Sequence, residues 1–244
     1  MNPKKKIFEQ SNKLTPNDLE IQLMNNIGIL FHRVMVAREL KYLIDYYEVD
    51  SEGYEEAKLS LDNNLEKIDM PKAWAIEKGN LDVVIAIIDG GVDYRHPDLK
   101  SKIWSNEDEI PSNGIDDDKN GYVDDRIGWD FTDAKTLPGK GDFVERDNDP
   151  MDESGHGTHV AGIAGAQVNN KIGIAGVAWQ CKIMAIRSGA SLISGGSRLQ
   201  DDDSAAAIIY AADNGANVIN MSWGDYQNSF IIRDAVDYAY ERGC

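Results

Sequence analysis

A continuous run of β-branched residues is the strongest hydrophobic pattern in the chain. It covers 82–89, Asp-Val-Val-Ile-Ala-Ile-Ile-Asp, and a run without polar alternation is typical of a strand buried on both faces of a parallel sheet. Further along, strand-like and helical patterns take turns. This alternation predicts right-handed βαβ units and a three-layer α/β fold, with helices on both faces of a mainly parallel sheet. The predicted strands are 182–187 and 217–222, and the predicted helices are 156–166, 204–214 and 230–242.

Residues 1–66 carry a different pattern, in which apolar positions recur at helical spacing. Thr-Pro-Asn-Asp at 15–18 is a typical helix start, because threonine can cap a helix and proline fits its first turn. The pattern predicts one helix from there to about Tyr47 and a shorter one over 54–65. We expect this part to be a helical N-terminal extension or a pro-segment, followed by the α/β domain over 67–244.

Composition narrows the classes of function that this fold can serve. Hydrophobic residues make up 42% of the chain and charged residues 27%, as in ordinary globular proteins. The formal net charge of -17 disfavours nucleic acid as a partner and favours cations such as calcium wherever carboxylates converge. Cys181 and Cys244 have no CxxC spacing and predict neither a disulfide framework nor a zinc site. We see neither an export signal nor a membrane span in the sequence, so its location stays open.

Two polar residues are placed where a parallel sheet normally carries its chemistry. Asp89 ends the buried run and is followed at once by Gly90-Gly91, which leaves a carboxylate at the carboxyl edge of the sheet. His156 opens a predicted helix whose glycines allow another backbone to come close. Taken singly, the aspartate is better explained as a helix cap or a turn residue, and a lone histidine as a buried ring. A zinc pair of His156 and His159 is disfavoured, because the helical zinc motif needs an i, i+4 spacing with a glutamate between.

Taken together, several segments resemble the motifs of the subtilases, the subtilisin-like serine proteases. Asp-Gly-Gly-Val-Asp-Tyr-Arg-His-Pro-Asp-Leu at 89–99 and His-Gly-Thr-His-Val-Ala-Gly at 156–162 resemble the aspartate and histidine motifs of that family. Val-Ile-Asn-Met-Ser-Trp-Gly at 218–224 is similar to its substrate-binding strand, and Pro-Lys-Ala-Trp at 71–74 to the start of its mature enzymes. The resemblance covers roughly 68–244. It implies a subtilisin-like fold, polypeptide substrates and peptide-bond hydrolysis through an acyl-serine.

The resemblance also implies a role for each matching residue. Asp89 would accept the ring N–H of His156, fixing its tautomer, and His156 would take the proton from a serine hydroxyl. Ser222, Trp223 and Gly224 would pair through their backbone with an extended peptide, as an added β-strand. Because the family is usually exported, the resemblance implies secretion or a place in the cell envelope.

The sequence departs from the family pattern in two places. Gly90 stands where the family commonly has serine or threonine, so a supporting hydroxyl is lost. No segment has the Gly-Thr-Ser-Met-Ala context of the nucleophile, and the oxyanion-hole asparagine that precedes it is not found either. We therefore expect the chain to carry only Asp89 and His156 of the triad and to be inactive without the missing C-terminal part of its domain. The alternative is a pseudoprotease fragment, catalytically inactive, that binds peptide or calcium.

An acidic segment at 116–125, Asp-Asp-Asp-Lys-Asn-Gly-Tyr-Val-Asp-Asp, predicts a calcium loop. It follows the EF-hand pattern through its ninth position, and its carboxylates repel one another unless a cation lies between them. At the twelfth position, however, Ile127 replaces the usual glutamate, and a solvated acidic turn is the alternative interpretation. The expected ligands are Asp116, Asp118, Asn120, the carbonyl of Tyr122, Asp124 and Asp125.

A second calcium site is implied by the resemblance alone. Asn-Asn-Lys-Ile-Gly-Ile at 169–174, after the histidine helix, looks like the calcium loop of the family. An ordinary asparagine-rich turn is the alternative. The implied ligands are the side chains of Asp98 and Asn170 and the carbonyls of Val168, Ile172 and Ile174.

Overall fold

The computed structural model describes residues 65–171, 173–225 and 227–244. One compact unit comprises Ala73–Cys244, and the other, Met1–Lys72, lies almost wholly outside the described residues. The helices predicted over 15–47 and 54–65 fall in that second unit, so they remain predictions. None of the helices in the described ranges is long and apolar enough to cross a membrane.

Helices and strands alternate along the described part of the chain. The helices are α1 (Met70–Trp74), α2 (His156–Gly165), α3 (Asp201–Asp213) and α4 (Phe230–Arg242). The strands are β1 (Val84–Asp89), β2 (Gly128–Asp130), β3 (Lys182–Arg187), β4 (Gly189–Ser191), β5 (Ser197–Leu199) and β6 (Val218–Asn220).

Four strands form a parallel sheet in the order β2-β3-β1-β6. The central strands β1 and β3 are apolar except at their ends, because both of their faces are covered, as the run at 82–89 predicts. In the register of the sheet, Arg187 at the end of β3 lies beside Asp89 of β1 and Asp130 of β2. Three charged residues therefore meet at the carboxyl edge of the sheet.

Helices cover the two faces of this sheet. Alternate residues of β1, Ala86 and Ile88 among them, belong to a core that includes the buried side of α3 and α4. The other set faces α2, where Gly157 lies against Asp89 and Gly165 against Ile183. The prediction of a three-layer α/β fold with a mainly parallel sheet is confirmed.

The boundaries differ from the predicted ones where local chemistry outweighs the apolar pattern. Helix α3 begins at Asp201, earlier than expected, because three aspartates fill its first turn and acidic side chains are favourable there. Strand β6 is shorter than the predicted 217–222. Strand β2 and the antiparallel hairpin of β4 and β5 were not predicted, since three residues are too few to show a period.

Candidate active site

Asp89 and His156 meet at the carboxyl edge of the sheet. The imidazole Nδ1 lies 2.6 Å from Oδ1 and 2.7 Å from Oδ2 of the aspartate. The carboxylate side chain is 3% exposed and the imidazole 21% exposed. Strand β1 therefore holds the acid in the interior, while α2 presents the histidine ring partly to solvent.

Glycines make this contact possible. A Cβ at Gly157 would collide with the carbonyl oxygen of Gly91 and lie 2.8 Å from Cβ of Asp89. At Gly91, φ is +102°, and a Cβ would lie 2.6 Å from the carbonyl oxygen of Met151. Because only a residue without a side chain fits at both places, the start of α2 can approach the turn after β1 closely enough for the pair to form.

The surroundings of Asp89 determine which tautomer of His156 is present. A buried carboxylate is an acceptor, so the Nδ1 atom that faces both of its oxygens carries the proton. Oδ1 also accepts the backbone N–H of Gly90 at 2.7 Å, which further fixes the carboxylate. With the proton on Nδ1, Nε2 of the neutral ring has a free lone pair, as a general base requires.

The segment after β6 contains Ser222, Trp223 and Gly224. The indole N–H of Trp223 donates to the carbonyl oxygen of Ile88 at 2.8 Å, and its ring packs against the core. The hydroxyl of Ser222 accepts from the amide of Asn220 at 2.9 Å, whereas Gly224 is exposed. The tryptophan therefore fastens this segment to β1, directly before Asp89.

A second charged pair, which the sequence patterns did not predict, lies beside the first. The guanidinium of Arg187 is 1% exposed and lies 3.3 Å from Oδ2 of the fully buried Asp130. It also donates to Glu153 at 3.1 Å, to the carbonyl oxygen of Met151 at 3.5 Å and to that of Asp142. Burial raises the pKa of Asp130 to about 7, although Arg187 acts in the opposite direction. The sequence feature that could have indicated this pair is Arg187 itself, a charged residue at the end of an otherwise apolar run.

The acidic loop brings together a different set of carboxylates from the one predicted. Oxygen atoms of Glu109, Asp118 and Asp125 lie within 4.8 Å of one another, and Glu109 and Asp125 are buried. The amide of Asn106 donates to both aspartates at 2.9 Å. No lysine or arginine forms an ion pair with the three carboxylates in the described part of the chain. A cluster of carboxylate oxygens without a cationic partner, with two of its three residues buried, fits a hard cation such as calcium.

The other predicted residues of the loop shape its backbone. Asp116 accepts the N–H of Asn120 at 3.1 Å and that of Gly121 at 2.9 Å. Asp124 accepts the N–H groups of Asn113 and Gly114 at 3.0 and 2.9 Å. The amide of Asn120 points into the cluster, where it donates to Asp118 at 3.1 Å and Asp125 at 3.0 Å. Glu109 could not be found from the sequence because it precedes the loop and belongs to no spacing pattern.

An aromatic group lies under the acidic loop. The ring of Tyr122 packs edge-on against Trp129, Phe131 and Tyr210. The hydroxyl of Tyr210 donates to Asp125 at 2.6 Å. Burial, and then the charge of Asp125, raise the pKa of Tyr210, so its hydroxyl remains a donor at all physiological pH values.

At the second predicted calcium site, Asp98 and Asn170 are in contact. Oδ1 of the buried Asp98 accepts from the Asn170 amide at 2.6 Å, and Oδ2 accepts the N–H of Ile174 at 3.1 Å. Asn169, Lys171 and Gly173 have left-handed φ values of 60°, 63° and 55°, so the loop curls tightly around the carboxylate. A buried carboxylate inside a tight loop also fits calcium. The carbonyl of Val168 lies in the same loop, and Ile172 is outside the described residues.

The fold and this edge of the sheet define a class: α/β proteins whose parallel sheet carries a buried aspartate paired with a histidine at the start of a helix. The family model of the subtilases matches residues 80–243. The chain therefore belongs to the subtilase family, and the resemblance noted from its motifs is confirmed.

Two curated relatives agree with this assignment. The chain is 42% identical over 171 residues to the thermophilic serine proteinase of Bacillus sp. (strain AK1), covering 70% of this chain and 33% of that protein. It is 36% identical over 178 residues to thermitase of Thermoactinomyces vulgaris, covering 73% and 50% respectively. Among solved structures, fervidolysin from Fervidobacterium pennivorans matches with 32% identity and a TM-score of 0.49, over 70% of this chain and 21% of that one. The chain thus spans half or less of the length of these relatives.

Proposed function

We propose that this chain provides the aspartate and the histidine of the catalytic triad of a serine endopeptidase. The observation that carries the proposal is the contact of Asp89 with Nδ1 of His156 at 2.6 and 2.7 Å, at the edge where a parallel sheet carries its chemistry. Membership of the subtilase family supports the same interpretation. The substrate class is polypeptide.

In this proposal His156 transfers one proton, and Asp89 orients the ring and stabilises its charged form. Asp89 keeps the Nδ1 proton in place, and Nε2 of His156 takes the proton of a serine hydroxyl as that oxygen attacks the peptide carbonyl. The imidazolium is stabilised by the buried carboxylate. It then gives the proton to the leaving amine as the C–N bond breaks, and water repeats the sequence to release the acyl group.

The nucleophile in this proposal belongs to polypeptide outside the 244 residues, because no serine of the sequence lies in the context that the family uses. Ser222, Trp223 and Gly224 would bind the substrate backbone as an added strand. The anchored indole of Trp223 supports this role, since it fixes the segment against β1 beside Asp89.

The proposal can be tested with a chimera. In it, the part of the thermophilic serine proteinase that follows the matched region is fused after Cys244 of this chain. We expect a fluorophosphonate probe, which reacts with activated serines, to label the chimera. The 244-residue chain and a His156→Ala chimera should not be labelled.

Each other outcome has a defined meaning. Labelling of the 244-residue chain would show that the nucleophile lies within it. A chimera that is folded by circular dichroism, yet neither reacts with the probe nor cleaves a peptide, would overturn the peptidase proposal. Binding of peptide without cleavage would then favour the inactive binding module.

We further infer that calcium binds at two places. The first is the cluster of Glu109, Asp118 and Asp125, with the acidic loop around it; the second is Asp98 with Asn170 and the carbonyls of Val168, Ile172 and Ile174. At the first place three carboxylates, two of them buried, converge without a cationic partner in the described part of the chain. At the second, the single buried carboxylate of Asp98 lies inside a tight loop. A bound divalent ion would stabilise the fold here by offsetting the repulsion of the carboxylates.

Calcium binding is tested by thermal unfolding of the 244-residue chain in calcium and in chelator. At a calcium concentration about a hundred times the Kd we expect stabilisation of about 2.7 kcal/mol per site, or roughly 5 to 10 °C in Tm. Asp118→Asn and Asp98→Asn should each reduce the response, whereas Asp202→Asn, a change at an exposed carboxylate, should not. A Tm that chelator leaves unmoved would contradict both sites.

A further inference from the structure

The segment that leads into α2 is organised around one carboxylate. Oδ1 of Asp152 accepts the N–H and the hydroxyl of Ser154 at 2.7 and 3.0 Å and the N–H of Gly155 at 2.8 Å. Oδ2 accepts the N–H and the hydroxyl of Thr158 at 2.9 and 2.6 Å. Both oxygens are thus used by donors that lie immediately before and after His156.

This carboxylate replaces the cap that the helix otherwise lacks. Gly155, at the N-cap position of α2, has a left-handed φ of 83° and no side chain with which to cap. Asp152 caps the helix from three residues upstream, and a negative charge there is favourable because the helix dipole is positive at that end. The hydroxyl of Ser154 accepts the N–H of His156 itself at 3.2 Å. The backbone on both sides of the histidine is therefore held.

Thr158 connects this cap to the aspartate side of the site. Its hydroxyl donates to Asp152 and accepts the backbone N–H of Asp93 at 2.8 Å. Asp93 lies four residues after Asp89 on the turn that leaves β1, and Thr158 lies two residues after His156 on α2. One hydroxyl thus joins the turn that follows the acid to the helix that presents the base.

We propose that Asp152 and Thr158 are positioning residues, a latch that sets the position of the His156 ring relative to Asp89. The latch touches neither the imidazole nor the carboxylate of the pair, so it acts through the backbone. Its consequence is specific: without the latch the histidine helix can shift, and the contact between Nδ1 and Asp89 lengthens. The role in catalysis rests on the proposed function, whereas the effect on geometry does not.

The test uses a matched pair of substitutions in the 244-residue chain. Thr158→Val keeps the shape of the side chain and removes both hydrogen bonds of the hydroxyl, while Thr158→Ser keeps the hydroxyl. The readout is the exchange rate, by NMR, of the Nδ1 proton of His156, which is protected only while Asp89 holds it. We expect exchange in Thr158→Val to be faster by on the order of tenfold, with Thr158→Ser close to the wild type. Asp152→Asn should accelerate exchange as Thr158→Val does, because an amide nitrogen cannot accept.

A purely structural role is separated from positioning by measuring Tm on the same samples. If Thr158→Val and Asp152→Asn remain folded and keep the wild-type exchange rate, the latch is refuted. If either variant fails to fold, the other, together with Thr158→Ser, still decides the question. In the chimera, the labelling rate should fall in Thr158→Val and recover in Thr158→Ser. A folded chimera that neither labels nor cleaves a peptide overturns the peptidase proposal, and the exchange rate in the 244-residue chain then decides whether the latch exists.

Discussion

Two aspartates end the strands on either side of β3 in the same sheet, yet they have different partners. Asp89 on β1 and Asp130 on β2 are both buried, and both stand beside Arg187 of β3 in the register of the sheet. Asp89 contacts His156, whose ring is partly exposed. Asp130 pairs with Arg187, which is almost completely enclosed.

The difference shows that a place at the carboxyl edge of the sheet does not by itself give a carboxylate a chemical role. The imidazole beside Asp89 has a second ring nitrogen that can accept a proton, and the ring is open to solvent on one side. The guanidinium beside Asp130 stays charged and is buried with its acceptors. The first pair is suited to proton transfer, and the second to holding the segment of Met151 and Glu153 that leads to α2.

The largest effect that would sharpen this comparison is expected from Asp89→Asn. An amide at this position cannot accept from Nδ1 in the same way, so the tautomer that leaves Nε2 free is no longer favoured. By analogy with other aspartate–histidine pairs, labelling of the chimera should slow by about ten-thousand-fold. Asp130→Asn, the same change at the end of β2 on the other side of β3, should slow it by less than about tenfold. Equal losses in the two variants would remove the distinction between the pairs.

A large loss of stability is expected from Arg187→Met. The substitution leaves Asp130 and Glu153 without their cation and removes the hydrogen bonds to the Met151 and Asp142 carbonyls. Breaking a buried ion pair from one side typically costs about 3 to 5 kcal/mol. The free energy of unfolding in denaturant measures it, with Arg198→Met, at an exposed arginine, as the control. A loss no larger than that of the control would mean that the buried pair contributes nothing to stability.

The pH dependence of stability tests the protonation of Asp130. Its pKa is raised by burial from 3.8 to about 7, so between these values the native state keeps a proton that the unfolded chain has lost. Unfolding then releases a proton, and stability falls as the pH rises through this interval, levelling off above about 7. The variant Asp130→Asn has no carboxyl group at this position, so its stability lacks this dependence on pH. Relative to this variant, the wild type should lose about 2 kcal/mol between pH 5 and pH 7.

Parallel stability curves for the wild type and Asp130→Asn over that range would contradict the raised pKa. They would mean that Arg187 compensates fully for the burial of the carboxylate. In that case the comparison of the two pairs would rest on the exposure of their partners alone.

The parts of the fold with a long, regular pattern could be predicted from the sequence. β3 and α4 have the predicted bounds, and β1 lies within the predicted run. An unbroken apolar run indicates a buried strand, and apolar residues at helical spacing indicate a helix, so both can be recognised from the sequence. The meeting of Asp89 and His156 followed from the resemblance, since their separation along the chain says nothing about distance in space.

The features that the sequence did not predict share a physical cause. They depend on contacts between residues that no spacing pattern links. Arg187 of β3 contacts Asp130 of β2, and β2 has only three residues, too few to show a period. Glu109 joins Asp118 and Asp125 only because the chain folds back over the acidic loop. Asp152 is separated from the histidine by a turn, so its capping role depends on the left-handed backbone of Gly155.

The smallest effect concerns Gly90, directly after the end of β1, where the family commonly has a hydroxyl. A Cβ here would lie 3.0 Å from Oγ of Ser154 and 3.1 Å from Oγ of Ser197, so a side chain fits if its neighbours move slightly. Oγ of Ser197 is buried and has no hydrogen-bond partner among the described residues.

A serine hydroxyl at position 90 would bond to it, whereas an alanine methyl group would only crowd it. Gly90→Ser should therefore be more stable than Gly90→Ala by about 0.5 to 1 kcal/mol in denaturant unfolding. Equal stabilities would show that the added hydroxyl does not reach Ser197. Glycine would then be tolerated at position 90 with no other group in place of the hydroxyl that the family commonly has there.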